Sequence, residues 1–424
     1  MHRLGALGQS LHGARWGWVV TLAGLGINLA LGSLYTWSVI SKAIPKEWGW
    51  SETEKSLPYS VAVLVFSLMM APAGRLQDQF GPRLIATVGG ILLGIGFLTA
   101  ALTTFSWGYV LGFGLLVGSG IGFSYSACTP SAVKWFPASR TGMIAGIVVS
   151  GFGLSAVYAA PLTQGLISLV GVEKTMLYLG IGFFGVVVLL AQLLRVPPPG
   201  YIPAAQPETV GAGPLATPQT GSVREYSPRQ ALKTWQFSLL WLMYAVGAGA
   251  GLMVISKLSQ LAKSQVGLEL GFLLVAALAL GNGIGRIVIG SLSDLIGRRQ
   301  TLFLCFGVQM VLMLVLTQAA PGTWLASDSV MAVLSALIGA NFGALLALFP
   351  AVTKDFYGLK HFGANYGLMF TAYGVGGFSL SLLAGKLYDI YQTYTVSCYT
   401  AAALLLVAAI LTLLVRPPKS SLSL

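Results

Sequence analysis

The chain has 424 residues, of which 55% are hydrophobic and only 8% charged, against about 25% charged in ordinary soluble proteins. That balance, with a mean hydropathy of +0.80, excludes a disordered chain, a secreted disulfide scaffold and a cytosolic enzyme built on one buried core. The formal net charge of +12 suggests a nucleic-acid binder until the charges are placed along the chain.

The start, MHRLGALGQSLHGAR, is short and basic, and Trp16 begins the first apolar run. No small-residue cleavage site follows a short apolar core, so the segment reads as a retained helix rather than a signal peptide. Apolar runs of membrane-spanning length, about 20 residues, then recur. Six are expected near 16–43, 56–77, 83–104, 108–134, 142–170 and 175–195, and six more near 234–262, 270–292, 300–320, 328–353, 363–388 and 393–415. Between the sets lies Val196 to Gln230, with eight prolines and no helical period. That composition predicts a flexible linker. The expected organisation is a six-helix bundle over 1–195, a linker over 196–230 and a second bundle over 231–424.

Both termini, the linker and the even-numbered loops fall on one side of such a chain. That side carries sixteen Lys/Arg against five acids, an excess of eleven cations, whereas seven Lys balance seven acids on the other. By the positive-inside rule the basic side is cytoplasmic. The expected location is therefore the plasma membrane, or the inner membrane of a bacterium, crossed many times with both termini in the cytoplasm. The basic excess is then topology, and no nucleic-acid partner is expected.

Two loops repeat one pattern, GxLxDxxGxR. The first copy carries Gly74, Asp78, Gly81 and Arg83, and the second Gly290, Asp294, Gly297 and Arg299, at an offset of 216 residues. Lys134-Trp135-Phe136 and Lys354-Asp355-Phe356 echo it 220 residues apart. The halves are thus read as parallel repeats. In each loop the first Gly permits close helix approach. The Asp can cap a helix and hold an Arg of the loop, and the second Gly allows a tight turn. These residues are expected to serve conformational switching rather than recognition.

One cation remains after the loops are assigned. Arg286 lies inside the eighth apolar run, eight residues before Asp294, or about 12 Å at the helical rise. A central Arg costs about 2.5–3.5 kcal/mol even on insertion scales, and it keeps its charge. No Asp or Glu falls well inside a predicted span, so a substrate anion is the simplest partner; bonding to backbone carbonyls as structural glue is the alternative. Asn282, four residues earlier, shares the helix face, and Gly281, Gly283 and Gly285 are expected to leave the region uncrowded. The three cysteines, Cys128, Cys305 and Cys398, lie in apolar runs and form no CxxC, so neither disulfide nor metal site is expected. Only three histidines occur, with no GxxxxGK[ST] loop. No cofactor or metal is expected, and an enzyme would lack a convincing catalytic set.

The doubled loop pattern, twelve spans and central linker resemble the major facilitator superfamily over the whole chain. This implies an all-α membrane protein of twelve transmembrane helices in two pseudo-symmetric six-helix bundles, rocking around a central site. A narrower resemblance rests on the eighth-helix Arg, on GSLYTWSV from Gly32 to Val39, and on Lys134-Trp135-Phe136-Pro137 with Arg140-Thr141-Gly142. Thr234-Trp235-Gln236-Phe237 and Asn365-Tyr366-Gly367 add to it. These segments are similar to the monocarboxylate transporters and the related oxalate/formate antiporters, including bacterial monocarboxylate transporter homologues. In that family the matching Arg binds the carboxylate, and Tyr35 and Tyr125 match pocket tyrosines. Tyr373 stands where oxalate carriers have a second cation, which implies a preference for one carboxylate. Phe342, Leu346 and Phe370 match a less polar pocket wall. Asn282 stands where animal carriers have an acid, and Leu34 and Tyr35 are nearest to their first-helix Lys. The resemblance implies a monomeric secondary transporter of a lactate- or pyruvate-like monocarboxylate with a coupled proton. The missing acid leaves open an anion exchanger, and a carboxylate sensor that carries no flux is the third reading.

Overall fold

The structure, a computed structural model, describes residues 2–203, 225–261, 271–318, 320 and 322–418. Most of the predicted linker, 204–224, and the segment 262–270 lie outside the described residues. Among the described residues the regular structure is helical throughout, as expected for lipid, where each segment must satisfy its own backbone groups. Among the described residues, eleven helical segments are long and apolar enough to cross a membrane. The longest, Ala138–Ala191, holds two spans joined at Gly171, whose φ of 77° breaks the helix. The predicted fifth and sixth spans are therefore present, but the loop expected at 171–174 shrinks to this one residue, and Glu173 and Lys174 are already helical. Only glycine adopts that backbone conformation without strain.

The first span, Arg15–Ala43, is not one uniform helix. It tightens into a 3-10 turn at Gly32–Thr36 before resuming as Trp37–Ala43. The turn sits where Gly32 meets the Phe152 carbonyl and Ser155 of the fifth span, a contact that a side chain at 32 would block. The fourth span widens into a π-helix at Val110–Val117, beside a close crossing of Gly112 and Gly96 on the third span.

Within the first six spans, the first packs on the fourth and fifth, and the third on the fourth and sixth. Within the last six, the eighth packs on the tenth, the seventh on the eleventh, and the ninth on the twelfth. Two pairs make most of the contact between the sets: the second span, Glu54–Phe80, with the eleventh, Phe362–Tyr391, and the fifth with the eighth, Gly271–Ile296. The two pairs are equivalent under the repeat, since the eighth span corresponds to the second and the eleventh to the fifth. Large apolar side chains on the outside, including Leu98, Leu189, Leu292, Leu314 and Val407, form the surface that lipid solvates.

Both described ends of the linker are tied down. The Tyr201 ring lies on Trp135 at 5.3 Å, and Trp135 Nε1 donates to the Arg195 carbonyl. At the other end the Glu225 carboxylate accepts from the Leu359 and Lys360 amides, and a Ser227–Gln230 capping box starts the short helix Pro228–Leu232.

Candidate functional site

The two repeat loops lie at one end of the bundle and grip the opposite set of helices. Asp78 accepts from the amides of Gly363 (3.1 Å) and Ala364 (2.9 Å), at the start of the eleventh span. Asp294 accepts from the amides of Gly142 (2.9 Å) and Met143 (2.8 Å), at the start of the fifth. Each aspartate therefore caps a helix of the other half, where exposed N–H groups and the helix dipole favour negative charge. Glycines make the approach possible. A Cβ at Gly290 would stand 2.5 Å from the Gly142 carbonyl oxygen, and one at Gly363 would stand 2.5 Å from that of Gly74.

An Arg of the same loop is held at Asp294 and not at Asp78. Asp294 pairs at 2.6 Å with Arg298, which also bonds Asp355 at 2.9 Å. Asp78 lies 3.9 Å from Lys134. Arg83 is exposed, and Arg299 donates to the carbonyls of Thr412 and Leu413 at the end of the twelfth span. Gly81 and Gly297 hold φ of 88° and 94° between consecutive spans, as their turns require. Lys354, the repeat counterpart of Lys134, is buried and donates to Thr141 Oγ1 across the halves. Burial lowers the pKa of the Lys134 ammonium below its usual value, and Asp78 and Glu225 oppose that shift.

Arg286 lies deeper and is fully buried. Its Nε donates to Asn282 Oδ1 at 2.9 Å, and one terminal nitrogen donates to the Val149 carbonyl of the fifth span. The other terminal nitrogen has no partner. Among the described residues no carboxylate pairs with it. The backbone bond expected of structural glue is thus present, yet it leaves a charged donor unsatisfied, which is costly in a buried setting.

The glycines around Arg286 do not leave open space, contrary to expectation. Gly281 and Gly285 face the carbonyls of Ala336 and Ala340 on the tenth span, while Gly339 and Gly343 face those of Leu278 and Asn282 in return. Gly146 receives the Arg286 carbonyl itself. This small-residue crossing fills the room with backbone and fixes Arg286 between the fifth, eighth and tenth spans.

Most aromatic residues singled out in the sequence converge here. Phe370 is their hub, with ring centroids at 5.0 Å from Tyr373, 5.4 Å from Tyr125 and 5.1 Å from Phe66. Tyr373 reaches Phe342 at 6.3 Å, and Tyr35 reaches Phe152 at 5.5 Å. Tyr35, Tyr125 and Tyr373 all lie within electrostatic reach of Arg286. Leu346 is buried one turn after Phe342, and Leu34 is buried beside the half-exposed Tyr35. Phe66 and Phe152 were not singled out in the sequence, nor were Tyr244 and Phe349, stacked at 4.1 Å. An aromatic residue in an apolar run carries the same local signature whether it faces lipid, core or site. Ser67 ties the cluster across the halves, donating to the Phe370 carbonyl and accepting from the Gly374 amide, both at 3.0 Å.

Among the described residues no group of three or more His, Cys, Asp or Glu could hold a metal. The arrangement offers one fixed positive charge, several hydroxyls and an aromatic wall where two helix sets meet.

Comparison with known proteins agrees with this architecture. The family model of the Major Facilitator Superfamily matches residues 17–272 and 236–423. The oxalate:formate antiporter of Oxalobacter formigenes is 27% identical over 86% of this chain and 83% of its own length. An uncharacterized MFS-type transporter of Escherichia coli (strain K12) is 27% identical over 85% of each chain. Monocarboxylate transporter 13 of Rattus norvegicus is 25% identical over 92% of this chain and 87% of its own. Among solved structures, the E. coli fucose:proton symporter superimposes with a TM-score of 0.67 at 15% identity, covering 94% of this chain and 98% of that one. That likeness speaks to the fold alone.

Proposed function

Because the chain belongs to the major facilitator superfamily of transporters, we propose that it is a secondary transporter of small monocarboxylates of lactate or pyruvate size, carried together with a proton. It is not an enzyme in this reading. The observation that carries it is Arg286: a fully buried guanidinium with one terminal nitrogen unpartnered and an amide, not an acid, beside it. A substrate carboxylate completes that donor set. Asn282, Tyr35, Tyr125 and Tyr373 orient the anion, and Phe342, Leu346, Phe370 and Leu34 form the apolar wall. The similarity to monocarboxylate transporters and to an oxalate:formate antiporter supports the substrate class.

Transport proceeds by rocking of residues 1–195 against 231–424 about the central site, the chain acting as a monomer. The end that bears the repeat loops is cytoplasmic, on the charge asymmetry of the loops. The Asp78 and Asp294 caps then close the cytoplasmic side, and the present conformation is closed there. Release inward requires both aspartates to leave their helix starts.

One observation favours a second reading, anion exchange. With no acid among the described residues to neutralise Arg286, the empty carrier holds a bare cation in the membrane, and reorientation without a bound anion is slow. Counterflow of labelled lactate into proteoliposomes, with a panel of competing acids, tests transport itself. A sensor binds but shows no flux. An imposed inward proton gradient separates the modes: it accelerates uptake by a symporter and leaves an exchanger dependent on internal anion alone.

A further inference from the structure

Arg299 completes the second copy of the loop pattern yet is not spent on its aspartate, which Arg298 holds. It reaches instead from the start of the ninth span, Arg298–Leu316, to the end of the twelfth, Thr395–Leu414. Its Nε donates to the Thr412 carbonyl at 2.8 Å, and one terminal nitrogen donates to that of Leu413. The twelfth span closes on the bond from the Val415 amide to the Leu411 carbonyl, so both acceptors are carbonyls that the helix leaves over. These bonds fix the direction of the guanidinium. Among the described residues its other terminal nitrogen has no hydrogen bond and no carboxylate pairs with it. Neither span contains an Asp or Glu, and Arg416, just beyond the twelfth, is exposed.

A groove of about 360 Å³ opens beside this cation, lined by Arg299, Gln300, Phe303, Leu304 and Leu413. All but Arg299 are exposed, on the surface that lipid solvates. Helical spacing orders the lining. Phe303 and Leu304 each lie one turn, about 6 Å, deeper than Arg299 and Gln300. Polar groups thus stand at the loop-motif end and apolar ones below them, the order of a phospholipid's headgroup and acyl chain. The equivalent crossing of the first half differs. There Gln192 Nε2, at the end of the sixth span, donates to Thr87 Oγ1 of the third at 3.1 Å. The offset of 216 puts Phe303 where Thr87 stands. A polar bridge joins the helices at one crossing, whereas the other presents an aromatic ring beside an unpaired cation.

We propose that this groove binds an anionic phospholipid of the leaflet at the loop-motif end. Its phosphate meets the spare nitrogen of Arg299 and the amide of Gln300, and one acyl chain runs along Phe303, Leu304 and Leu413. Charge complementarity selects the occupant, since a guanidinium with no protein anion sits in the first turn of a span, where headgroups lie. A zwitterionic lipid offers the same acyl chains, but its own amine already offsets its phosphate, so the cation sets the preference. Both walls belong to residues 231–424, and the lipid therefore braces the ninth span against the twelfth within one bundle. The inference is independent of which solute is transported.

The test uses the full chain in a neutral detergent, titrated with phosphatidylglycerol or with phosphatidylcholine of identical acyl chains and read by native mass spectrometry. Wild type is expected to hold one phosphatidylglycerol about fivefold more tightly than phosphatidylcholine, the worth of one basic side chain facing anionic lipid. Arg299→Gln keeps a donor but loses the charge, and is expected to bring that ratio close to one. Leu413→Trp fills the groove from an exposed position and is expected to weaken both lipids severalfold. Free glycerol phosphate at millimolar concentration is expected to leave the lipid in place. Equal retention of the two lipids by wild type overturns the inference, as does a preference that Arg299→Gln keeps. Displacement by glycerol phosphate reduces the groove to a simple anion site and overturns the lipid assignment, and so does unchanged binding in Leu413→Trp. The wild-type ratio and Leu413→Trp decide the matter even where Arg299→Gln is not monodisperse.

Discussion

Arg286 donates its Nε–H to Asn282 Oδ1 at 2.9 Å, one helical turn away, so the buried guanidinium is oriented by a neutral amide. An amide fixes direction without cancelling the charge of the guanidinium.

That relationship sets the expected effect of Asn282→Asp. Burial disfavours ionisation of the new carboxyl, whereas Arg286 favours it. When ionised it competes with the substrate for Arg286; when protonated it does not. The variant is expected to bind substrate more weakly than wild type at high pH and to recover as pH falls. Zero-gradient exchange in proteoliposomes across pH measures this, and a constant variant-to-wild-type ratio would show that residue 282 does not communicate with the anion.

Tyr373 stands against Phe370 at 5.0 Å and within reach of Arg286. Tyr373→Lys would supply a second cation to a site that has one. Competition is expected to shift toward oxalate and other short dicarboxylates. Unchanged selectivity in a folded variant would remove Tyr373 from the site.

The Gly290–Gly142 crossing closes the loop-motif end. Gly290→Ala brings a Cβ to 2.5 Å from the Gly142 carbonyl oxygen. Overpacking of this kind costs about 1–3 kcal/mol, which shifts the closed state by about 5- to 150-fold. Hydrogen exchange at the Gly142 and Met143 amides, both bonded to Asp294, is expected to accelerate by a factor in that range. Wild-type protection would mean that the crossing is not required for closure.

Asp78→Ala removes the acceptor of the Gly363 and Ala364 amides and leaves Lys134 without its carboxylate partner. Loss of a cap costs about 1 kcal/mol. Exchange at those two amides is expected to rise about fivefold or more while the Asp294-bonded amides at 142 and 143 respond less, because the two caps belong to separate helix pairs. An equal response at both places would mean that the caps open as one unit.

The twelve spans and the depth of Arg286 were legible in the sequence because lipid imposes one length on every crossing and makes a lone charge conspicuous. Asn282 was legible because four residues return to the same helix face. The Val149 carbonyl that Arg286 bonds was not, since a backbone acceptor has no residue signature. The repeat pattern marks Arg299, yet the aspartate is held by Arg298. The pattern records spacing along the chain, whereas the ion pair depends on which side of the turn at Gly297 faces Asp294. Phe66, Phe152 and Tyr244 were silent because an aromatic residue in an apolar run looks alike in core, lipid face and site. The closure of the loop motifs on helix starts of the opposite half required the three-dimensional pairing of the second span with the eleventh and the fifth with the eighth.

The most direct measurement is counterflow of labelled lactate in proteoliposomes containing wild type, Arg286→Lys or Arg286→Ala, each shown to be monodisperse after reconstitution. Lysine keeps the charge but loses the planar fork that pairs with a carboxylate, so both variants are expected to lose counterflow while wild type retains it. Near wild-type counterflow in either variant would contradict the assignment of Arg286 as the residue that binds the transported anion.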